Sequence, residues 1–565
     1  MTPTCMTRVR EWGSAVWAAT QVELQGYYSI PHLQRLGTYH AQTSWMRAVL
    51  VCLVTPLSSL IVVLMIDLIP LEHLSDGPRR SVNVWIRHFV AVVSITLCVL
   101  EQFHQHVPVL GINRKDILIT SVVAPAVAVG AIIVMAVALG YPLPFTILIG
   151  TVPWLFTTCI VIFLLCRRRL SAHPDLLVKL FRFLLVVVCQ ITLTVVYPLF
   201  NFVYKSLSSL QQTAFVFLLP VIKIAAKNWI SRTLPDADNA KPEAVVFNVE
   251  IFHSLFVALC MGNTTSSRTV LVLMLVDFIQ AWLSFRDIHD ILSKLRAVSD
   301  KLDDARDSTN SIVSNSRRGV QMLVDMACRI VEVEPSQAKQ RSRVRRSRVG
   351  LLRLSSLRRT TRVLHKGNEV HPERPQVVEI VPQPQIRSPR PAWTASVAPT
   401  GSKPKLLPSD LASLTVVERG VLVQHTQKLL FVTEFVVLIE YTEVIMPLVY
   451  STHTSLGLDS HDLSSLTRFS SQLLLIPENI NTPSALQPIV SNVLLYTSLE
   501  ALSLLIMVAV CWHRLRVSLV HQLAYVLEKR AISIQSKLVL WVLYVTHTSL
   551  VQLGPDYSFQ FAWLR

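Results

Sequence analysis

Apolar runs of about twenty residues recur along this chain, and at about 1.5 Å per helical residue each is long enough to cross a hydrocarbon core of about 30 Å. Seven are clean: Ala48 to Pro70, Val84 to Leu100, Ile117 to Leu139, Phe145 to Leu165, Phe183 to Tyr204, Leu429 to Tyr450 and Ile489 to Cys511. Ala244 to Met261, Thr269 to Phe285 and Leu538 to Leu553 are shorter candidates. Leu207 to Ala226 is interrupted by Pro220 and Lys223 and reads equally as a span or as a re-entrant segment. Of 565 residues 51% are apolar and 16% charged. A soluble domain carries about 25% charged residues, so both a water-soluble fold and a chain disordered throughout are excluded.

Loop charge sets the sidedness, because Lys and Arg gather on the cytoplasmic side in short loops. Arg167, Arg168, Arg169, Lys179 and Arg182 crowd one connection, while Gly140 to Pro144 carries no charge. If Leu207 to Ala226 crosses, the basic region after Phe285 also falls inside. The expected architecture is therefore an all-α, polytopic bundle of about eleven spans (nine to eleven) with a large cytoplasmic insertion and a cytoplasmic N-terminus. Its parts are an N-terminal segment (1–47), a first membrane block of about eight helices (48–285), a heptad-patterned helix (286–334), a basic Pro-rich segment (335–414), a second block of about three helices (415–553) and a tail (554–565). The first 45 residues hold no apolar stretch suited to a signal peptide, so the first span is expected to direct insertion.

The insertion has two characters. Ile288, Ile291, Leu295, Val298 and Leu302 keep a heptad register that resumes at Leu323, Met326 and Ile330, a seam that either self-associates through 288–330 or packs back on the bundle. Residues 336–410 then hold 16 Lys and Arg against 4 Asp and Glu, a surplus of twelve within a net charge of +17. With its prolines and few aromatics this stretch reads as disordered. Arg341, Arg343, Arg345, Arg346, Arg348, Arg358 and Arg359 are candidate contacts to anionic lipid, at about 1 kcal/mol per basic side chain near a charged surface. A tethered polybasic segment favours the bilayer over nucleic acid, which is not expected as a partner.

An ionisable residue inside a span costs about 2.5 to 3.5 kcal/mol at the helix centre and is a functional candidate by default. Asn492, Tyr496 and Glu500 repeat every four residues as a polar stripe. Glu250 precedes His253 by three, a geometry in which carboxylate and imidazole can bond. Glu440 and Glu443 share one face, with Glu443 expected to reach water; Glu434 points elsewhere and suits an interfacial salt bridge beside Lys428. Gln190 begins a polar face that runs through Thr194, Tyr197 and Asn201. Ala124 with Ala128 and Ala126 with Gly130 form two small-residue pairs expected to pack closely. The nine cysteines are scattered without a Cys-x-x-Cys pair, so neither a disulfide framework nor a zinc site is expected. No catalytic motif or cofactor fingerprint is present, and an enzyme is the least supported class.

Thr55-Pro56-Leu57 through Ile66-Asp67-Leu68-Ile69-Pro70, then Pro142-Leu143-Pro144-Phe145 and Val152-Pro153-Trp154, resemble an expanded family of uncharacterised multi-spanning transmembrane proteins of oomycete-type eukaryotes. The resemblance covers mainly the first five spans and implies a eukaryotic membrane protein without supplying an activity. Two function classes stay open: a transporter-like or channel-like bundle using Glu500, Asn492 and Tyr496, aided by Glu250 and His253, or a receptor or scaffold that recruits partners and lipid through residues 286–410.

Overall fold

The computed structural model describes residues 20–69, 77–143, 145–173, 175–235, 239–263, 267–307, 416–458, 483–515 and 517–548, together with Ala327, Ile330 and Leu553. Among the described residues every regular element is helical. In chain order these are α1 (Ile30–Gln42), α2 (Trp45–Val54), α3 (Leu57–Asp67), α4 (Val82–His106), α5 (Arg114–Leu139), α6 (Thr146–Ala172), α7 (Asp175–Ser206), α8 (Ser209–Phe215), α9 (Leu218–Thr233), α10 (Lys241–Asn263), α11 (Ser267–Asp307), α12 (Val416–Leu458), α13 (Pro483–Leu515), α14 (Leu519–Lys529) and α15 (Ala531–Thr548). The Arg341 to Arg359 lipid candidates, the whole 335–414 segment and most of the heptad seam lie outside the described residues.

Local chemistry explains where these helices start and break. Ser29 caps α1 by accepting from the His32 N–H, Ser44 caps α2 through the Arg47 N–H, and Asn113 with Asp116 forms a capping box on α5. Pro56, which has no N–H to donate, separates α2 from α3 within the first apolar run. Pro125, Pro153 and Pro198 are instead carried inside α5, α6 and α7. The Leu207 to Ala226 stretch resolves into α8 and α9, divided at Val216 and Phe217.

Seven helical stretches are long and apolar enough to cross a membrane: Trp45–Asp67, Val82–His106, Arg114–Leu139, Thr146–Ala172, Asp175–Tyr204, Leu210–Thr233 and Val493–His513. They mark a membrane protein. The runs expected at Ala244 to Met261, Thr269 to Phe285, Leu429 to Tyr450 and Leu538 to Leu553 fall in α10, α11, α12 and α15, which are not among the seven.

Burial sorts the two groups. Each of the seven has only 22–44% of its apolar window buried, leaving large apolar side chains such as Leu53, Ile61, Val134, Phe156 and Leu505 exposed on the outside. By contrast every described side chain of α10 from Lys241 to Val257 is buried, and α12 is buried almost throughout Leu429 to Met446. A helix covered on all sides is the core of its bundle. α10 is enclosed by α7, α9, α12, α13 and α15. The most apolar helices thus form the outer layer, and α10, with Glu243 and Glu250, occupies the middle.

The expected close packing of α5 is half right. Ala124 and Ala128 are buried, but Ala126 is exposed and nothing lies within 4 Å of where a Gly130 Cβ would stand. The tight approach is made instead by Gly150 of α6, whose missing Cβ would lie 2.6 Å from Ile132 Cδ1. In α11, Ile288, Ile291 and Leu295 of the heptad seam are buried within the chain, and the helix packs on α12.

The N-terminal segment closes one end of the bundle. A Cβ on Gly26 would overlap the Phe431 ring, so only glycine lets the chain pass there. Tyr39 Oη donates to Glu528 Oε2 at 2.8 Å and Arg47 Nη2 pairs with Glu528 Oε1 at 2.8 Å, fixing α1 and α2 to α14. His32 sits between the Tyr28 and Tyr525 rings, at centroid distances of 4.4 and 5.3 Å. Burial, aided by the charges of Arg530 and Arg35, lowers its pKa from 6.5 to about 4. The docked state therefore holds His32 neutral while the undocked state gains a proton below about pH 6.5, so the docking contribution is complete above that pH and declines as pH falls toward about 4. Melting curves of purified protein should lose stability across that window, and His32→Phe should flatten the decline; an unchanged pH profile in the variant counts against it.

Candidate functional site

α9 carries two lysines four residues apart, Lys223 and Lys227, on one face of the helix. Both are buried, and both reach Glu250 at the centre of α10, a side chain with 0% exposure. Lys227 Nζ lies 2.6 Å from Glu250 Oε1 and Lys223 Nζ lies 2.9 Å from Oε2, so each carboxylate oxygen has its own ammonium. Both lysines have a second acid. Lys227 Nζ is 2.9 Å from Glu23 Oε1, in the short 3-10 turn Val22–Leu24 near the N-terminal end, and Lys223 Nζ is 3.1 Å from Glu443 Oε1 on α12. Gln280 Oε1 of α11 accepts from Lys223 at 3.4 Å. The result is a continuous chain of alternating charge, Glu23, Lys227, Glu250, Lys223, Glu443, running through the core.

At its far end the chain meets a group of acids. One oxygen each from Glu440, Glu443 and Glu500 lie within 4.8 Å of one another, where α12 and α13 pack together. Ser503 Oγ donates to Glu440 Oε2 at 2.8 Å, and Lys223 touches the group through Glu443. Three carboxylates at this spacing supply the oxygen donors that hard cations favour, and these residues could hold a metal ion. The cluster combines a fixed cation on one side with acids on the other.

Hydrogen-bonded neighbours support α10. His253 Nδ1 and Tyr197 Oη are 3.0 Å apart, and Gln190 Nε2 of α7 donates to Asn248 Oδ1, whose amide donates back to the Ala244 carbonyl at 2.6 Å. Glu243, two turns before Glu250, is buried against Lys537 of α15 and accepts from Ser533 Oγ at 2.7 Å. This second buried pair ties α15 to the same central helix.

Four expectations are corrected by these contacts. Glu250 does not bond His253, because two lysines take its oxygens and the imidazole turns to Tyr197. Glu443 does not reach water: it is buried and ion-paired. Glu434 is no interfacial salt bridge with Lys428, since it is 1% exposed with His32 Nε2 at 3.9 Å, while Lys428 lies 6.0 Å from the Tyr27 ring centroid. Lys223 is not an interruption of a span but the residue linking two carboxylates. Glu440 and Glu500 are brought together, Glu250 is linked to them through Lys223 and Glu443, Tyr496 is buried one turn from Glu500, and Gln190 stands apart on the α7 to α10 contact. Asn492 lies in α13, and its side chain is outside the described residues. Lys227, Glu23, Glu243 and Lys537 were not anticipated as site residues.

Comparison with family models, with curated proteins and with solved structures finds no match to the chain.

Removing one partner of a buried ion pair leaves an uncompensated charge and costs about 3–5 kcal/mol, whereas neutralising both is far milder. Lys223→Met should therefore destabilise by that amount in thermal or denaturant unfolding in detergent, and Lys223→Met with Glu443→Gln should recover more than half. Equal stability of the single variant and the parent protein would contradict the ion-pair assignment.

Proposed function

We propose that the chain is a membrane transport protein, of channel or carrier type, whose path for a cation runs past Glu440, Glu443 and Glu500. The reading takes α10, α11, α12 and α15 as crossing the membrane with the seven apolar helices, giving about eleven spans, a cytoplasmic N-terminus and the 286–414 insertion on the cytoplasmic side. What supports it is one observation: three acids from two helices, Glu440 and Glu443 buried and Glu500 half-buried, converge within 4.8 Å of one another, with Lys223 paired to Glu443. An ionisable group in a span is expensive and is a functional candidate by default, and here three of them share one place.

The chemistry follows from the counterion. Lys223 stands between Glu250 and Glu443 and acts as a tethered cation holding the site when no ion is present. An entering cation that exchanges its water for the oxygens of Glu440, Glu443 and Glu500 relieves Glu443 of its need for Lys223, whose ammonium remains neutralised by Glu250. The lysine thus has two stable partners, and ion occupancy selects between them.

Flux of monovalent and divalent cations into vesicles carrying purified protein tests this reading. Glu500→Gln and Glu440→Gln should each lower flux at least tenfold while leaving the melting temperature near that of the parent. Deleting residues 336–410 should leave flux intact. Absence of cation flux, or full flux in Glu500→Gln, overturns the path; loss of flux only in the deletion shifts the function to the basic segment.

A further inference from the structure

The ion-pair chain does not end on the long helices. Its outermost acid, Glu23, belongs to the 3-10 turn Val22–Leu24 of the N-terminal segment, which packs between α9 and α12 with Val22 and Tyr28 fully buried. Anchors that do not involve Glu23 hold the segment on both sides of it. The Thr20 carbonyl accepts from Asn228 Nδ2 of α9 at 2.7 Å, and the Tyr28 N–H donates to the Gln427 carbonyl of α12 at 3.4 Å. The Ser29 N–H donates to Asn239 Oδ1 and Ser29 Oγ accepts from Asn239 Nδ2, each at 2.8 Å. Inside the chain both lysines are shared: Lys227 lies 2.9 Å from Glu23 and 2.6 Å from Glu250, and Lys223 lies 2.9 Å from Glu250 and 3.1 Å from Glu443. Attraction between opposite charges is strong and poorly screened in such a setting, so an ammonium that loses one of its two acids moves closer to the other.

We propose that Glu23 is a positioning residue for the Glu440, Glu443 and Glu500 group, acting through Lys227, Glu250 and Lys223, so that seating of the N-terminal segment and binding of a cation are coupled. The inference rests on the transport reading above and names the regulation of that same site. Its sign follows from the alternation of charge. With Glu23 seated, Lys227 is partly held by it and Glu250 keeps a share of its charge for Lys223. Withdrawing Glu23 turns Lys227 wholly onto Glu250, which then attracts Lys223 less while Lys227 repels it. Lys223 closes on Glu443 and neutralises one of the acids that a cation needs. The seated segment therefore favours the cation and the withdrawn segment disfavours it. Linkage makes the effect reciprocal: a bound cation sends Lys223 to Glu250, which loosens the hold of Glu250 on Lys227 and leaves that ammonium to Glu23, tightening the seat. In the topology proposed above the segment is cytoplasmic, so the cation affinity of the core is set from that side.

Cation binding and amide hydrogen exchange, measured on full-length protein in detergent with Na+ and Ca2+ as separate probes, test the coupling from both ends. In the parent protein the cation that binds should raise the protection of the amides of residues 22–28, a measurement that needs no variant. Glu23→Gln, which leaves the flanking anchors in place, should weaken binding of that cation by about fivefold or more and abolish its effect on those amides, while Glu23→Asp keeps the charge and should preserve both. Glu23→Gln combined with Lys227→Met leaves Glu250 to Lys223 alone, draws Lys223 away from Glu443 and should return the affinity to the parent's or above it. A merely structural role for the turn gives the opposite order, so a double variant weaker than the single one overturns the relay. Binding that is lost in Glu440→Gln but unchanged in Glu23→Gln, with exchange at 22–28 indifferent to the cation, overturns the coupling and leaves the transport reading standing. A parent protein that binds neither cation overturns both.

Discussion

The structure turns on the burial of Glu250. A carboxylate with no exposure in the middle of a bundle has lost its hydration, and the loss is offset only by placing cations on both of its oxygens. Lys223 and Lys227 can do so only if α9 lies against α10, and their remaining charge demands Glu443 and Glu23 in turn. One buried charge therefore dictates the placement of α9 and α12 and the docking of the N-terminal turn. Glu243 and Lys537 repeat the logic two turns earlier and add α15.

The same constraint explains why the bundle looks inverted relative to a soluble protein. Around a soluble core the apolar faces turn inward; here Trp45–Asp67, Thr146–Ala172 and Val493–His513 turn most of their apolar surface outward, which suits a hydrocarbon solvent. Charge is tolerated only where other protein groups replace water, so the helices that carry it are central. α10 holds Glu243, Glu250 and His253, and every described side chain on it through Val257 is buried.

Much of this was legible in the sequence, and the rest was not, for identifiable reasons. Run length gave the apolar helices, because it depends on residues adjacent in the chain; the break at Pro56 inside the run Ala48 to Pro70 appears only in the structure. The intramembrane acids were equally visible, since a lone Glu in an apolar run stands out in one dimension. Their partners were not. Glu250 to Lys223 spans two helices, Glu443 to Lys223 spans 220 residues, and Glu23 to Lys227 spans 204, so local spacing offered Glu250 only His253 and left Glu443 facing water. A signal was nonetheless present: Lys223 and Lys227 at i and i+4 inside an apolar stretch require acids on a facing helix, and the intramembrane glutamates were the acids at hand.

The charge network also bears on what the Glu440, Glu443 and Glu500 group can do. From Glu23 through Lys227, Glu250 and Lys223 each charge meets an opposite one, and Glu443 carries the network to the contact of α12 and α13, where three carboxylates lie within 4.8 Å of one another. Carboxylates this close repel one another where the medium screens poorly, and a proton or a cation shared among them relieves that repulsion. In the transport reading proposed above, an entering cation takes that role and Lys223 is the group it displaces from Glu443, so the buried pair that holds α9 to α12 is also the element that the ion would reset.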